Sequence, residues 1–207
     1  MSKIWLALVG AVMAFSASAA QYSEGSQYVK LDRPSADQPQ VLEFFSFYCP
    51  HCYQFENVYR VSDAIKTGLP EGVKVTKYHV DFLGPLGKDL SKAWAIAVSL
   101  GVQDKVAPLI FDGIQKSQTI NSVADIRNVF IKAGVKAEEY DDAMNSFTVN
   151  ALVTKQTKAA EELQLRGVPA VFVNGKYMVK NDGLDIESAD QYGLEFSKVV
   201  NHLLALK

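Results

Sequence analysis

The chain has two cysteines, Cys49 and Cys52, and they are separated by Pro50 and His51. They follow a strongly apolar run, residues 41–47, and open a helical pattern that continues to about residue 66. A Cys-X-X-Cys pair at a strand-to-helix junction is typical of a redox site, because unpaired backbone N–H groups and the helix dipole favour a thiolate there. We therefore predict a dithiol–disulfide site in the first turns of a helix, with Cys49 as the partly exposed nucleophile and Cys52 more buried.

The pair has two other readings. The first is a structural disulfide. The spacing argues against it, because a bond between residues three apart removes almost no conformational entropy from the unfolded chain, and a chain of 207 residues can bury a core without it. Half of a zinc site is the second, but it needs two more ligands from His51, His79 and His202, which are not paired at zinc spacing. His51 can instead donate a hydrogen bond to the Cys49 thiolate and, when protonated, add a positive charge beside it. The alternative is that His51 is an exposed helical histidine with no role at the site.

The composition is that of an ordinary globular protein, with 48% hydrophobic and 21% charged residues. A formal net charge of −2 is not that of a nucleic-acid-binding protein. The chain length fits one domain, or one domain with an insertion.

The N-terminus has the features of a secretory signal peptide. Lys3 precedes an apolar run, residues 4–15, and the small residues 17–19 form a cleavage site, so we predict removal of residues 1–19. A membrane anchor is the alternative, but the run is shorter than the roughly 20 residues that a spanning helix needs. Export to an oxidising compartment also counts against a reduced, cytosolic thioredoxin.

The elements that must position the cysteines alternate at both ends of the chain and are helical in the middle. Apolar runs and turn residues predict strands near 28–31, at 41–47, at 73–80, and in a hairpin at 170–173 and 176–179 around Asn174-Gly175. Helical spacing predicts helices at 94–101, 104–114, 122–134, 137–145, 148–165 and from Ser188 onwards. The order is β-α-β, a helical block, then β-β-α.

This pattern and its motifs resemble the DsbA family of thioredoxin-fold oxidoreductases. The resemblance is carried by the segments FFSF (44–47), CPHCYQFE (49–56), LGKDL (86–90), QLRGVPA (164–170) and FVNGKY (172–177). It implies an α/β thioredoxin fold, a central mixed sheet flanked by helices, with an inserted all-helical domain. Residues 20–80 and 166–207 would form the two parts of the thioredoxin fold, and residues 81–165 the insertion.

The resemblance also implies a function. It is that of a periplasmic oxidase, which donates its Cys49–Cys52 disulfide to exported, incompletely folded proteins through a mixed disulfide at Cys49. A membrane quinone reductase of the DsbB type would reoxidise it. The expected protein is a monomer that does not itself span the membrane, with no metal, no organic cofactor and no nucleic-acid partner. A reductase or isomerase, or a peptide-holding chaperone, would be the rival functions.

Pro169 follows Val168 at the start of a predicted strand. Sequence alone favours a trans peptide bond there, because about one X-Pro bond in twenty is cis in folded proteins. The resemblance reverses that expectation and implies a cis proline lying against the dithiol. Val168 would then offer its backbone to an extended substrate segment.

Three charged residues complete the expected site. Glu43 lies inside the apolar strand, where a carboxylate is costly unless it is paired or protonated, and Lys77 on the next strand is its natural partner. The resemblance implies that this pair lies beneath the active site, where two roles are open: proton transfer to Cys52, or a buried pair with no kinetic role. Glu56 could tune the site, but a solvated helical residue is the more ordinary expectation.

Aromatic residues surround the motif: Phe47, Tyr48, Tyr53 and Phe55. We expect most of them to belong to the core, and no more than two to be exposed at the site.

Overall fold

The structure, a computed structural model, describes residues 22–184 and 188–206. The predicted signal peptide, residues 1–19, lies outside them. The strands in these ranges are β1 (Tyr28–Lys30), β2 (Val41–Phe45), β3 (Val75–His79), β4 (Ala170–Val173) and β5 (Tyr177–Val179). The helices there are α1 (Pro50–Asn57), α2 (Val61–Gly68), α3 (Gly87–Leu100), α4 (Gln103–Gln115), α5 (Val123–Lys132), α6 (Ala137–Met144), α7 (Phe147–Glu162) and α8 (Ala189–Ala205).

The strands form one mixed sheet in the order β1-β5-β4-β2-β3. The pair β2–β3 is parallel, and β2–β4, β4–β5 and β1–β5 are antiparallel. Strand β2 lies inside the sheet, and Val41, Phe44 and Phe45 are buried on its two faces. This confirms the mixed sheet and the covered central strand that its continuous apolar run predicts.

Helices α3–α7 lie between β3 and β4 in the chain, as the helical stretch predicted. Their apolar side chains, including Ile96, Ile110 and Phe130, form one buried cluster with Phe47 and Cys52. The loop that carries the cysteines is therefore anchored in the core of the helical insertion as well as in the sheet.

One prediction about the active-site helix is wrong. The periodicity indicated a single helix to about residue 66, but α1 ends at Asn57 and α2 begins at Val61, with Arg60 in the left-handed conformation (φ 53°). Gly193 of α8 packs so closely on this break that a Cβ there would lie 2.6 Å from the Tyr59 carbonyl oxygen. Residues of both helices face the same core, so the apolar spacing runs across the break and hides it.

Local signals in the loops hold well. Ser122, the first residue of the helix predicted at 122–134, caps α5 by accepting from the Asp125 N–H at 3.2 Å. Asn174 and Gly175 both have positive φ, 53° and 62°, which is the conformation that an Asn-Gly hairpin turn requires. Ser188 precedes α8 as expected. Among the described residues, no helix combines the length and apolarity needed to cross a bilayer.

Candidate active site

Cys49 lies at the junction between the sheet and the first helix. Strand β2 ends at Phe45, and Cys49 is the N-cap of α1, with φ −85° and ψ 113°, so it precedes the first turn in which it was expected. Its Sγ accepts a hydrogen bond from the Cys52 N–H at 3.1 Å. Pro50 is the first helical residue, where the lack of an N–H group costs nothing.

The two thiols have opposite pKa shifts. A hydrogen bond from the Cys52 thiol lowers the pKa of Cys49 to about 7; burial opposes it, and backbone hydrogen bonds from Cys52 and His51 add to it. Burial raises the pKa of Cys52, and the neighbouring Cys49 raises it further. The exposed fractions are 5% for Cys49 and 2% for Cys52, so Cys49 is less exposed than predicted. The pKa difference, and not exposure, favours Cys49 over Cys52 as the more reactive thiol.

The Val168–Pro169 peptide bond is cis, as the resemblance implied. The Val168 carbonyl oxygen lies 3.3 Å from Cys49 Sγ and accepts a hydrogen bond from the thiol. Both residues of this peptide bond are partly exposed. They therefore lie against the dithiol at a position that an incoming chain can contact.

A groove of about 500 Å³ opens beside this peptide bond. Its lining comes from α1 and the break after it, from the cis-proline segment, from the turn after β5 and from the start of α8: His51, Gln54, Phe55, Tyr59, Val168, Pro169, Asn181 and Tyr192. The Tyr59 and Tyr192 rings lie 5.1 Å apart at one side of it. The groove offers aromatic surface and a few polar groups within reach of Cys49, which suits an extended peptide.

His51 is exposed on α1. Its backbone lowers the pKa of Cys49, but in the described residues its imidazole makes no hydrogen bond to the Cys49 sulfur. The predicted donation from the imidazole is therefore not formed here. The ring is placed instead at the wall of the groove.

Glu43, Lys77 and Glu56 form a connected cluster that joins β2, β3 and α1. Lys77 Nζ lies 3.0 Å from Glu43 Oε1 and 2.5 Å from Glu56 Oε2. Ser62 Oγ completes the cluster at 2.8 Å from Glu43 Oε2 and 2.5 Å from Glu56 Oε2. The expectation that Glu56 is a solvated residue is wrong, because its side chain is only 24% exposed and is paired with Lys77.

The two carboxyl groups of this cluster have different pKa values. Burial raises the pKa of Glu43, and the attraction of Lys77 only partly offsets it. Burial also acts to raise the pKa of Glu56, but the charge and hydrogen bond of Lys77 bring it below its usual range. The Glu43 charge in turn raises the pKa of Cys52. Glu43 and Cys52 are thus electrostatically coupled.

Sequence reasoning missed three residues that hold the site. Ser62 lies on the buried face of α2, beside Val61 and Ile65, and donates to Glu43. His79 was considered only as a metal ligand, but its ring is buried and lies between Phe47 and Ser91. Gln115, at the end of α4, donates to the Phe47 carbonyl oxygen at 2.7 Å. Of these three residues, only His79 gives a signal in the sequence, because it is a polar residue within an apolar run.

No three His, Cys, Asp or Glu side chains in residues 22–184 and 188–206 are grouped so that they could hold a metal ion.

Of the four aromatic residues around the motif, Phe47 and Phe55 are buried, and Tyr48 and Tyr53 are partly exposed. The two partly exposed tyrosines confirm the expectation that no more than two of these aromatic residues are exposed at the site.

Comparisons with known proteins agree with this geometry. Residues 40–190 match the DSBA-like thioredoxin domain. The chain is 64% identical over 207 residues to the thiol:disulfide interchange protein DsbA of Pectobacterium carotovorum subsp. carotovorum, and 63% identical to that of Yersinia pestis. Both matches cover 100% of each chain.

A solved structure is similar throughout the described fold. It is a cysteine-to-serine variant of DsbA from Proteus mirabilis in complex with a non-covalently bound peptide, PWATCDS. The two chains share 55% identity with a TM-score of 0.86, over 89% of this chain and 99% of the other.

Proposed function

The chain belongs to the family of DSBA-like thioredoxin domains and is a thiol:disulfide oxidoreductase, and we propose that it acts as an oxidase of exported proteins. In this role its Cys49–Cys52 disulfide passes to proteins that have not finished folding. The reaction takes two electrons from two substrate thiols and leaves the enzyme as a dithiol.

The exchange takes place in two steps. A substrate thiolate attacks Cys49 Sγ, the Cys49–Cys52 bond breaks, and Cys52 leaves with the bonding electrons and takes a proton. The product is a mixed disulfide between Cys49 and the substrate. A second substrate thiolate then attacks the substrate sulfur of that bond, and Cys49 leaves as a thiolate.

The observation that carries the proposal is the opposite shift of the two pKa values. The pKa of Cys49 lies at about 7, so Cys49 is a good leaving group in the second step. The raised pKa of Cys52 makes it take up a proton in the first step. Holding the Cys49 thiolate stabilises the reduced form, by about 1.4 kcal/mol or about 30 mV for each unit of pKa lowering.

The cis Val168–Pro169 segment and the adjoining groove are the proposed substrate site. In the oxidised enzyme Cys49 has no thiol proton, so the Val168 carbonyl oxygen is released to accept from a substrate N–H. The groove of about 500 Å³ would then hold side chains next to the substrate cysteine. The peptide bound to the Proteus mirabilis relative, which contains a cysteine, supports this class of ligand.

The remaining parts of the proposal follow from the signal sequence and the family. The enzyme would work in the periplasm as a monomer, after loss of residues 1–19, and use no metal or organic cofactor. Because each turnover leaves a dithiol, an electron acceptor is required, and a membrane quinone reductase of the DsbB type fits that need.

The test uses Cys52→Ser, in which the mixed disulfide at Cys49 cannot be resolved internally. Mixed with a reduced, unfolded disulfide protein that carries one activated cysteine, this variant should accumulate a covalent complex that dithiothreitol releases. Cys49→Ser is the matched control and should form none. Equal complex formation by both variants would refute the assignment of Cys49 as the attacked cysteine.

A second measurement separates the oxidase from a reductase or isomerase. The wild-type protein is equilibrated with glutathione redox buffers, and its reduced fraction is measured. Thioredoxin has a redox potential of about −270 mV, and the proposal requires a potential well above that value. A potential close to that of thioredoxin would refute the oxidase function.

A third measurement tests a chaperone function. If the variant lacking both cysteines still fully promoted refolding of a reduced disulfide protein, a chaperone function would replace the oxidase function.

A further inference from the structure

Two side chains hold the peptide groups of Phe47, two residues before Cys49. The Phe47 N–H donates to His79 Nε2 at 3.1 Å, and the Phe47 carbonyl oxygen accepts from Gln115 Nε2 at 2.7 Å. His79 is the last residue of β3, and Gln115 is the last residue of α4 in the helical insertion. The loop before the nucleophile is therefore held from the sheet and from the insertion together.

The hydrogen bonds around His79 are consistent with a single tautomer. Because Phe47 provides a donor, His79 Nε2 must be unprotonated, and burial lowers the pKa of His79 to about 3, which keeps the ring neutral. The remaining proton is then on Nδ1, which donates to Ser91 Oγ at 2.8 Å. The Ser91 hydroxyl is left to donate to the His79 carbonyl oxygen at 3.4 Å. We assign the Nδ1–H tautomer from this network.

The loop between β2 and α1 is otherwise held by its own groups. The Cys49 N–H donates to the Ser46 carbonyl oxygen at 3.0 Å, and the Tyr48 N–H to Ser46 Oγ at 3.2 Å. The Phe47 ring stacks on His79 at 5.0 Å between centroids, and lies 4.8 Å from Phe111. The side chain and both backbone groups of Phe47 are thus fixed from outside the loop.

We propose that Gln115 and His79 are positioning residues, which fix Phe47 and thereby keep the Cys49 sulfur aligned with the Cys52 N–H. The sulfur depends on that alignment because a hydrogen bond to a thiolate weakens steeply as its angle and distance change. The helical insertion then contributes to the reactivity of Cys49 through Gln115. The inference rests on the proposed function only in taking Cys49 as the reactive cysteine.

The principal test is Gln115→Met, which keeps the length and shape of the side chain but removes the donor. The thiolate pKa of Cys49 is measured by absorbance near 240 nm, and the redox equilibrium with glutathione on the same samples. We expect a pKa increase of about half a unit or more, and a fall in the oxidising equilibrium constant by a matching factor of about threefold.

Ser197→Ala is the matched control. Ser197 Oγ also donates to a backbone carbonyl of another element, that of Ala64, at 2.9 Å, but it joins α8 to α2. This variant should lower the stability of the oxidised and reduced forms alike and leave the pKa unchanged. The same outcome for Gln115→Met would show a merely structural role and overturn the proposal.

A spectroscopic test needs no variant. The ¹⁵N signals of the His79 ring in the wild-type protein should show a protonated Nδ1 and an unprotonated Nε2. A protonated Nε2 would contradict the bond from Phe47. Neither measurement depends on oxidase activity: a reductase-like potential of the wild type would end the proposed function, while the difference between Gln115→Met and wild type would still decide this inference.

Discussion

Replacing Lys77 with methionine tests the charge cluster that joins β2, β3 and α1. Lys77 pairs with Glu43 and Glu56, whose side chains are 2% and 24% exposed. Removing one partner from a buried pair costs about 3–5 kcal/mol, because the remaining charge is left without compensation. Because Glu56 keeps some contact with solvent, we expect a loss in the lower part of that range at pH 8.

The loss should grow with pH, and both carboxyl groups give the same sign. Without the attraction of Lys77, the pKa of Glu43, already raised by burial, rises further. The native state then holds a proton that the unfolded chain releases, so stability falls by about 1.4 kcal/mol per pH unit between the unfolded and folded pKa values. The lowered pKa of Glu56 stabilises the wild type above its unfolded pKa, and that contribution disappears with Lys77.

The assay is urea unfolding of wild type and Lys77→Met, in one redox state, at several pH values from 5 to 8. Adding Glu43→Gln to the variant should recover much of the loss at pH 8. Lys198→Met is the control, because its pair with Glu195 is at the surface, and its effect should not grow with pH. If the difference between wild type and Lys77→Met were equal at pH 5 and pH 8, this reasoning would be refuted.

Three further predictions concern the surroundings of the site. Gly84→Ala should lower the free energy of unfolding in urea by about 1–3 kcal/mol more than Gly134→Ala does. Both glycines have positive φ, but a Cβ at Gly84 would meet the Tyr48 ring, whereas Gly134 faces open space. Equal losses of stability would contradict the packing of Tyr48. Absorbance titration of the reduced protein should show a thiolate transition at about pH 7 from Cys49; a midpoint in the ordinary thiol range would contradict the hydrogen-bonded sulfur. Tyr59→Ala should raise KM for a cysteine-containing peptide and leave the redox potential unchanged, since Tyr59 lines the groove and packs on the buried cluster that includes Phe196 of α8. An altered potential with unchanged KM would remove the groove as a substrate site.

Local and periodic signals were sufficient for most of the fold. The apolar run of β2, the Asn-Gly hairpin and the Ser122 cap each depend on interactions between near neighbours, so the sequence shows them directly. At the break between α1 and α2, the backbone packs closely on Gly193, which is far along the chain. Such an approach leaves no periodic trace at the break.

The candidate site divides in the same way. Cys49 is predictable because the groups that lower its pKa, the Cys52 thiol and the backbone of His51 and Cys52, belong to its own helix, and Glu43 is predictable because a carboxylate in a buried strand needs a partner. Burial of Glu56 and the bond from Gln115 to Phe47 arise when separate elements meet. Their sequence surroundings are those of ordinary surface-helix residues.

The central claim is that the freed Cys49 thiolate stabilises the reduced protein more than the disulfide stabilises the oxidised one. Unfolding of the two redox forms, side by side in urea at pH 8 and above the Cys49 pKa of about 7, tests it most directly. The reduced form should unfold at the higher urea concentration, and its advantage should shrink as the pH falls from the ordinary thiol range toward 7 and be lost below 7, because the lowered pKa of Cys49 stabilises the native state only where its thiol is ionised. An oxidised form that is the more stable of the two at pH 8 would contradict the claim.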